Sequence, residues 1–150
     1  MKRFASAVFF LAAIGAAPAW AQFAKPEAAV EYRQSAFTII ANHMARIKFQ
    51  LEYTKPNMEA VRNSAAIVDM LKTLPFEAFV PGSSDVGDTA AKPEIWTERE
   101  KFDKLAKEMQ DAVGQLNVAA KAGDPIAIRA AFGNAGKACK NCHDDYKKKR

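Results

Sequence analysis

Two thiols and an imidazole stand within five consecutive residues near the end of the chain, Cys139-Lys140-Asn141-Cys142-His143. On a helix, side chains at this C-x-x-C spacing project from nearly the same face, one turn apart. From there both thiols can add across the two vinyl groups of a porphyrin and hold it through thioether bonds. The adjoining imidazole can reach under the ring and ligate iron through a neutral nitrogen. C-x-x-C-H is the spacing of c-type haem attachment. Two other chemistries use similar pairs. A dithiol redox motif also reads C-x-x-C, but it normally opens a helix after a strand, and here the pair comes near the end of a helical pattern. A structural zinc site wants four ligands, and only His43 remains among the other Cys and His residues.

Four stretches of helical period must carry these groups. In the first, Val30, Arg33, Phe37, Ile40, Met44, Ile47 and Leu51 recur at alternating spacings of three and four, the seam of a helix lying nearly parallel to its neighbours. Pro56 ends it. Asn57 reads as the N-cap of a second helix with Met58, Val61, Ala65, Val68 and Leu71 inward, stopped at Pro75. Residues 76–92 show no period and are rich in Gly, Pro, Ser and Asp, and a loop of that length usually has a function or covers something. Pro93 suits a helix start. A long third stripe follows in Trp96, Phe102, Leu105, Met109, Ala112, Leu116 and Ala120, closed by Gly123. Asp124-Pro125 begins the fourth, whose stripe is Ile128, Phe132, Ala135, Cys139, Cys142 and Tyr146. Both cysteines thus fall on a buried stripe, which sets a haem against the interior of an antiparallel four-helix bundle. Gly114, Gly133 and Gly136 lie inside these helices, each costing up to ~1 kcal/mol against alanine, for close helix packing or for room beside a porphyrin.

Lys2 and Arg3, an apolar run over residues 4–17 and the small-x-small Ala19-Trp20-Ala21 make an export leader cleaved after Ala21. The run is broken by Pro18 and falls short of the ~20 residues that a spanning helix needs. The compartment expected is a bacterial periplasm. Of 150 residues the mature chain keeps residues 22–150, enough for one domain, and the formal charge drops from +5 to +3 with Lys2 and Arg3. Both cysteines lie in one motif, so no disulfide framework is expected. Lys147-Lys148-Lys149-Arg150 is the only dense basic run, and it reads mainly as a solvated helix end whose cations suit the helix dipole. Neither nucleic acid nor a membrane is an expected partner.

Five further segments bear on the reading: Tyr32-Arg33-Gln34-Ser35-Ala36-Phe37, Gly87-Asp88, Pro93-Glu94-Ile95-Trp96, Ala130-Ala131-Phe132-Gly133, and Asp144 with Tyr146 after the haem motif. With them the chain resembles the cytochrome c′ family over essentially the whole mature region. A C-terminal C-x-x-C-H is itself characteristic of that class. The resemblance implies an all-α, left-twisted four-helix bundle, usually a homodimer, with one covalent haem c and five-coordinate iron. It implies binding of nitric oxide and carbon monoxide, with oxygen bound poorly or not at all, and a role in nitric oxide handling or in electron transfer to a redox partner protein. Catalysis is not expected, because no acid–base pair appears and no second histidine or arginine is placed for peroxide cleavage.

The same resemblance places His143 as the sole protein ligand to iron, with Arg33 and Gln34 beside the haem and Asp88 on a loop near its edge. Arg33 is the one charge on an apolar seam, and a buried guanidinium must be paired; a propionate would suit it, unless the side chain snorkels outward. Trp96 reads as packing. Phe37 takes the distal position, where family members often carry an aliphatic residue. A phenyl ring cannot ligate, so it leaves iron five-coordinate while filling the space an incoming gas must enter. Lys147 would flank the proximal pocket, one turn beyond His143 on the same face, where relatives often carry arginine; lysine keeps the charge but loses the planar fork. The rival is an electron carrier with Met44 as second axial ligand. Met44 lies two turns from Phe37, about 10 Å along the axis at ~1.5 Å per residue. His43 is off the stripe and expected to be exposed. The first two helices are the implied dimer surface, which exposed Ile39 and Phe49 would fit.

Overall fold

The computed structural model describes residues 22–149. The leader and its cleavage site, expected at residues 1–21, lie outside the described residues, as does Arg150. Four long helices dominate: α1 (Pro26–Glu52), α2 (Met58–Leu71), α5 (Arg99–Ala122) and α6 (Pro125–Tyr146), with two single-turn helices, α3 (Leu74–Glu77) and α4 (Glu94–Thr97), between the second and third long ones. The helix ends follow from local chemistry. Pro26 and Pro125 occupy first-turn positions, where a missing N–H costs nothing. Asn57 Oδ1 accepts from Ala60 N at 3.0 Å and Asp124 Oδ1 from Ile126 N at 2.9 Å, capping α2 and α6 as their sequences require. Gly123, at φ +84°, ends α5 in the left-handed conformation and donates to Ala119 O.

α1 packs on α2, α5 on α6, and α2 against α5. Two cores result. The aliphatic one draws Ile40, Ile47 and Leu51 from α1, Val61, Ala65 and Val68 from α2, Met109, Val113, Leu116 and Ala120 from α5, and Ile128 and Ala135 from α6. Each fully buried branched side chain contributes about 1.5–3 kcal/mol, so this stripe-on-stripe contact outweighs the helix-interior glycines. At Gly114 an added Cβ would meet Lys72 Nζ at 3.3 Å, whereas Gly133 and Gly136 face open space; close helix packing accounts for the first only. The second core is aromatic: Phe79, Ile95, Phe102 and Tyr146, with Phe37, Phe76, Trp96 and Cys142 against it. No helix of the described residues is long and apolar enough to cross a membrane.

Three sequence expectations need correction. Pro75 does not simply stop α2; it starts α3, which occupies the beginning of the supposed loop. The third stripe is not one helix. Glu98, at φ −112° and ψ 41°, separates α4 from α5, and Trp96 on the short piece turns to donate Nε1–H to Val80 O at 3.0 Å. His43 is half-buried rather than exposed, with Nδ1 3.3 Å from Ser64 Oγ. Desolvation and then Arg46 hold its pKa below the ordinary 6.5.

Candidate haem site

The α6 stripe brings the motif to the junction of the two cores. Cys139 packs against the aliphatic cluster and Cys142 against the aromatic one. Both are free thiols, half-buried. Burial raises the pKa of Cys139, and burial followed by Cys139 and Asp145 pushes that of Cys142 up to about 11. Both therefore stay neutral at physiological pH and face apolar surroundings. This donor set fits a covalent porphyrin, because a thioether is as neutral as the thiol it replaces and vinyl groups are apolar. His143 follows on the exposed side of the helix. Partial desolvation first, and Lys147 second, lower its pKa, so the imidazole favours the neutral form that ligates metal.

Phe37 on α1 and Cys142 on α6 both pack against the aromatic cluster. Its ring lies edge-on to Phe76, with centroids 5.7 Å apart, and 6.5 Å from Phe79. The cluster's members are hydrocarbon apart from the indole of Trp96, the phenol of Tyr146 and the Cys142 thiol. The indole N–H is spent on Val80 O, and the phenol donates to Glu98 Oε2 at 2.9 Å. Met44, seven residues further along α1, is half-buried against the aliphatic cluster instead.

One turn before Phe37, Arg33 is 2% exposed. It does not snorkel outward. Nη1 donates to Ala78 O at 3.0 Å and Ser83 Oγ at 2.8 Å, while Nη2 donates to Ser83 O at 2.7 Å and Thr89 Oγ1 at 3.1 Å. The guanidinium also stacks over Phe79, 4.6 Å from the centroid. Burial lowers its pKa from 12.5 to about 10, which still leaves it charged at neutral pH. The pairing that a buried cation requires is thus met by neutral oxygens of residues 78–89. That loop wraps the guanidinium using Gly82 and Gly87, at φ +79° and +63°. Gln34 is exposed and adds a fifth tie, Nε2 to Asp88 O at 2.6 Å. Arg33, Gln34 and Asp88 are therefore brought together, with the Asp88 backbone as the partner of Gln34.

The end of α6 differs from expectation. The helix stops at Tyr146, so Lys147 does not share its face. Lys147 has extended backbone (φ −111°, ψ 130°) and forms an antiparallel bridge with Ala91. Lys148 N donates to Ala90 O at 2.8 Å. Lys147 remains close enough to His143 to depress its pKa, and its N–H donates to His143 O at 3.1 Å. Lys147 and Lys148 thus pair through their backbones with residues 90–91 beyond the end of the helix, while Lys147, Lys148 and Lys149 stay exposed.

The profile of the family described as Cytochrome C′ matches residues 28–147. The chain belongs to the cytochrome c′ family. A cytochrome c′ of Alcaligenes xylosoxydans xylosoxydans is 44% identical over 133 residues, which span 86% of this chain and 100% of that one. The crystal structure of cytochrome c′ from Rubrivivax gelatinosus superposes with a TM-score of 0.81 at 42% identity, covering 85% of this chain and 100% of that one. A nitric oxide complex of a leucine-to-alanine variant of the Alcaligenes xylosoxidans protein superposes at 0.79 and 40% identity, covering 86% and 100%.

Cytochromes c′ are non-enzymatic periplasmic haem proteins with covalent haem c, and this one has its two cysteines near the C-terminus in an all-α bundle matching those structures. Sequence reasoning missed Ser83 and Thr89, the acceptors that fix Arg33, and Lys92, whose ammonium reaches the end of α6. The aperiodic loop that contains Ser83 and Thr89 and ends at Lys92 was the one signal pointing to them.

Proposed function

We propose that this cytochrome c′ carries its haem on Cys139 and Cys142, with His143 as the only side-chain ligand to iron, and binds nitric oxide and carbon monoxide on the Phe37 face. Each thiol S–H adds across a vinyl C=C, forming one C–S bond and leaving its hydrogen on the neighbouring carbon, with no net oxidation. When bound, the haem supplies an iron with one coordination position for a small neutral gas. Phe37 would cover the face at which the gas arrives and would have to swing aside to admit it. No donor in its cluster is positioned to stabilise polarised bound oxygen, which favours the less polar gases. Arg33, Gln34 and Asp88 border the haem edge by fixing residues 78–89. Lys147 places positive charge beside His143.

The observation that carries this reading is the aromatic cluster joining Phe37 to Cys142, whose one oxygen donor, Tyr146, is tied to Glu98 and has its pKa pushed up to about 12, chiefly by desolvation. The indole of Trp96 and the phenol of Tyr146 are committed to Val80 O and Glu98, and the Cys142 thiol would be consumed by the thioether. Met44 lies two turns along α1 from Phe37, about 10 Å at ~1.5 Å per residue, and that separation weighs against the low-spin alternative. The nitric oxide complex of the Alcaligenes xylosoxidans relative supports the gas assignment. Absorption and resonance Raman spectra of the reduced protein test it: high-spin five-coordinate features are expected, unchanged in Met44→Ala. Sharp low-spin bands that vanish in Met44→Ala would establish an electron carrier with closed iron.

Three finer assignments complete the proposal. Cleavage after Ala21 leaves a single domain, residues 22–150, in the periplasm. Two copies pair through α1 and α2, where Ile39 and Phe49 are exposed and Phe49 packs edge-on against exposed Tyr53 at 5.0 Å. Electron transfer to a redox partner protein is the second role that the family resemblance implies, and exposed Lys140 on α6 with Lys147, Lys148 and Lys149 just beyond it would offer that partner a basic surface.

A further inference from the structure

An α-helix ends with four carbonyls that have no partner inside the helix. In α6 these belong to His143, Asp144, Asp145 and Tyr146. His143 O accepts from Lys147 N at 3.1 Å. The other three are all satisfied by one residue from outside the helix. Lys92 donates its backbone N–H to Tyr146 O at 3.0 Å, and its ammonium to Asp145 O at 2.7 Å and Asp144 O at 3.3 Å. The charge also sits at the negative end of the helix dipole, where a cation is favoured. Around this contact the Ala91–Lys147 bridge, the Tyr146–Glu98 hydrogen bond and the Lys101–Asp145 ion pair at 2.9 Å tie the same turn to the segment running into α5.

We infer that Lys92 is a positioning residue for the proximal histidine: it closes the last turn of α6 from outside and thereby limits how far His143 can move relative to the bundle. The inference rests on the proposed ligation by His143. Isolated helix ends fray, and a terminal turn whose carbonyls face water unwinds at little cost. Here the turn that carries the iron ligand is the last one, so its order depends on a donor that the helix itself does not contain. Lys92→Met keeps the backbone donor to Tyr146 and a similar aliphatic stem while removing the ammonium from Asp144 and Asp145. Lys92→Arg retains a cation able to reach the same two oxygens.

Two readouts on the haem-loaded protein decide it. Amide hydrogen exchange over residues 144–148 is expected to accelerate roughly fivefold in Lys92→Met and to return toward the parental rate in Lys92→Arg. The iron–histidine stretching band of the ferrous protein is expected to broaden or shift in Lys92→Met only. Parental exchange rates in Lys92→Met would overturn the inference. So would faster exchange with an unaltered iron–histidine band, since the lysine would then order the helix end without positioning the ligand. Absence of that band from the unsubstituted protein would instead overturn ligation by His143, and this inference with it.

Discussion

On the α1 side of the site a guanidinium 2% exposed is gripped by four neutral oxygens and stacked on Phe79, one turn from a ring that sits in an aromatic cluster. On the α6 side an exposed histidine stands on a final helical turn completed by an ammonium from a loop. The first arrangement lies away from water, where each lost partner leaves an acceptor unsatisfied at about 1–3 kcal/mol. The second is a surface arrangement, screened by solvent, in which single contacts count for less. Phe37 is therefore backed by a rigid wall, whereas His143 rests on a support that is easier to disturb. Under the proposed function the ligand enters past the rigid side, and His143 holds iron from the side that is easier to disturb.

Arg33→Met should have the largest effect, because Ala78 O and Ser83 O lose their donor inside the fold. A loss of about 3 kcal/mol is expected in urea unfolding. Arg33→Lys should recover less than half of it, since one ammonium cannot span acceptors that a planar fork reaches together. A loss below about 1 kcal/mol would erase the contrast between the two faces. Next comes Phe37→Ala, expected to raise the carbon monoxide association rate about tenfold or more, at least ~1.4 kcal/mol off the barrier; stopped-flow mixing with an unchanged rate would refute the steric gate. The smallest effect belongs to Tyr146→Phe, about 1 kcal/mol at neutral pH for one hydrogen bond. It also has a pH signature. The folded-state pKa of Tyr146 lies above its ordinary 10.0, at about 12. Between those values the unfolded chain sheds a proton that the folded one keeps, so stability falls as pH rises through that window. Equilibrium unfolding at several alkaline pH values should show this component in the parent protein and lack it in Tyr146→Phe.

The bundle was readable from period alone. The stripes through Ile40, Ile47 and Leu51, Val61, Ala65 and Val68, Met109 and Leu116, and Ile128 and Ala135 all point inward, and Asn57, Gly123 and Asp124 mark helix ends by local rules that hold whatever the rest of the chain does. The haem motif was readable because its chemistry fixes its spacing. The break at Glu98 was not. Residues 94–122 have the composition of one helix, and Trp96 leaves the stripe because of Val80, a contact far away in sequence. The partners of Arg33 were hidden for the same reason. The sequence marks Arg33 as a buried cation needing partners, but two backbone carbonyls, a serine and a threonine in an aperiodic loop carry no pattern that points to it. Lys147 was misplaced by extending the helix one residue too far. Its extended backbone comes from pairing with Ala91, which local propensity does not register.

Thr89 Oγ1 accepts both from Arg33 Nη2 and from Ala91 N, and Ala91 is the residue that pairs with Lys147. The ribbon that wraps the guanidinium therefore runs, within three residues, into the stretch that meets the chain's C-terminal tail. The two sides of the proposed haem site share one mechanical strut. Whatever loosens the grip at Thr89 also slackens the strip against which the tail is zipped, so damage on one side of this protein is felt on the other.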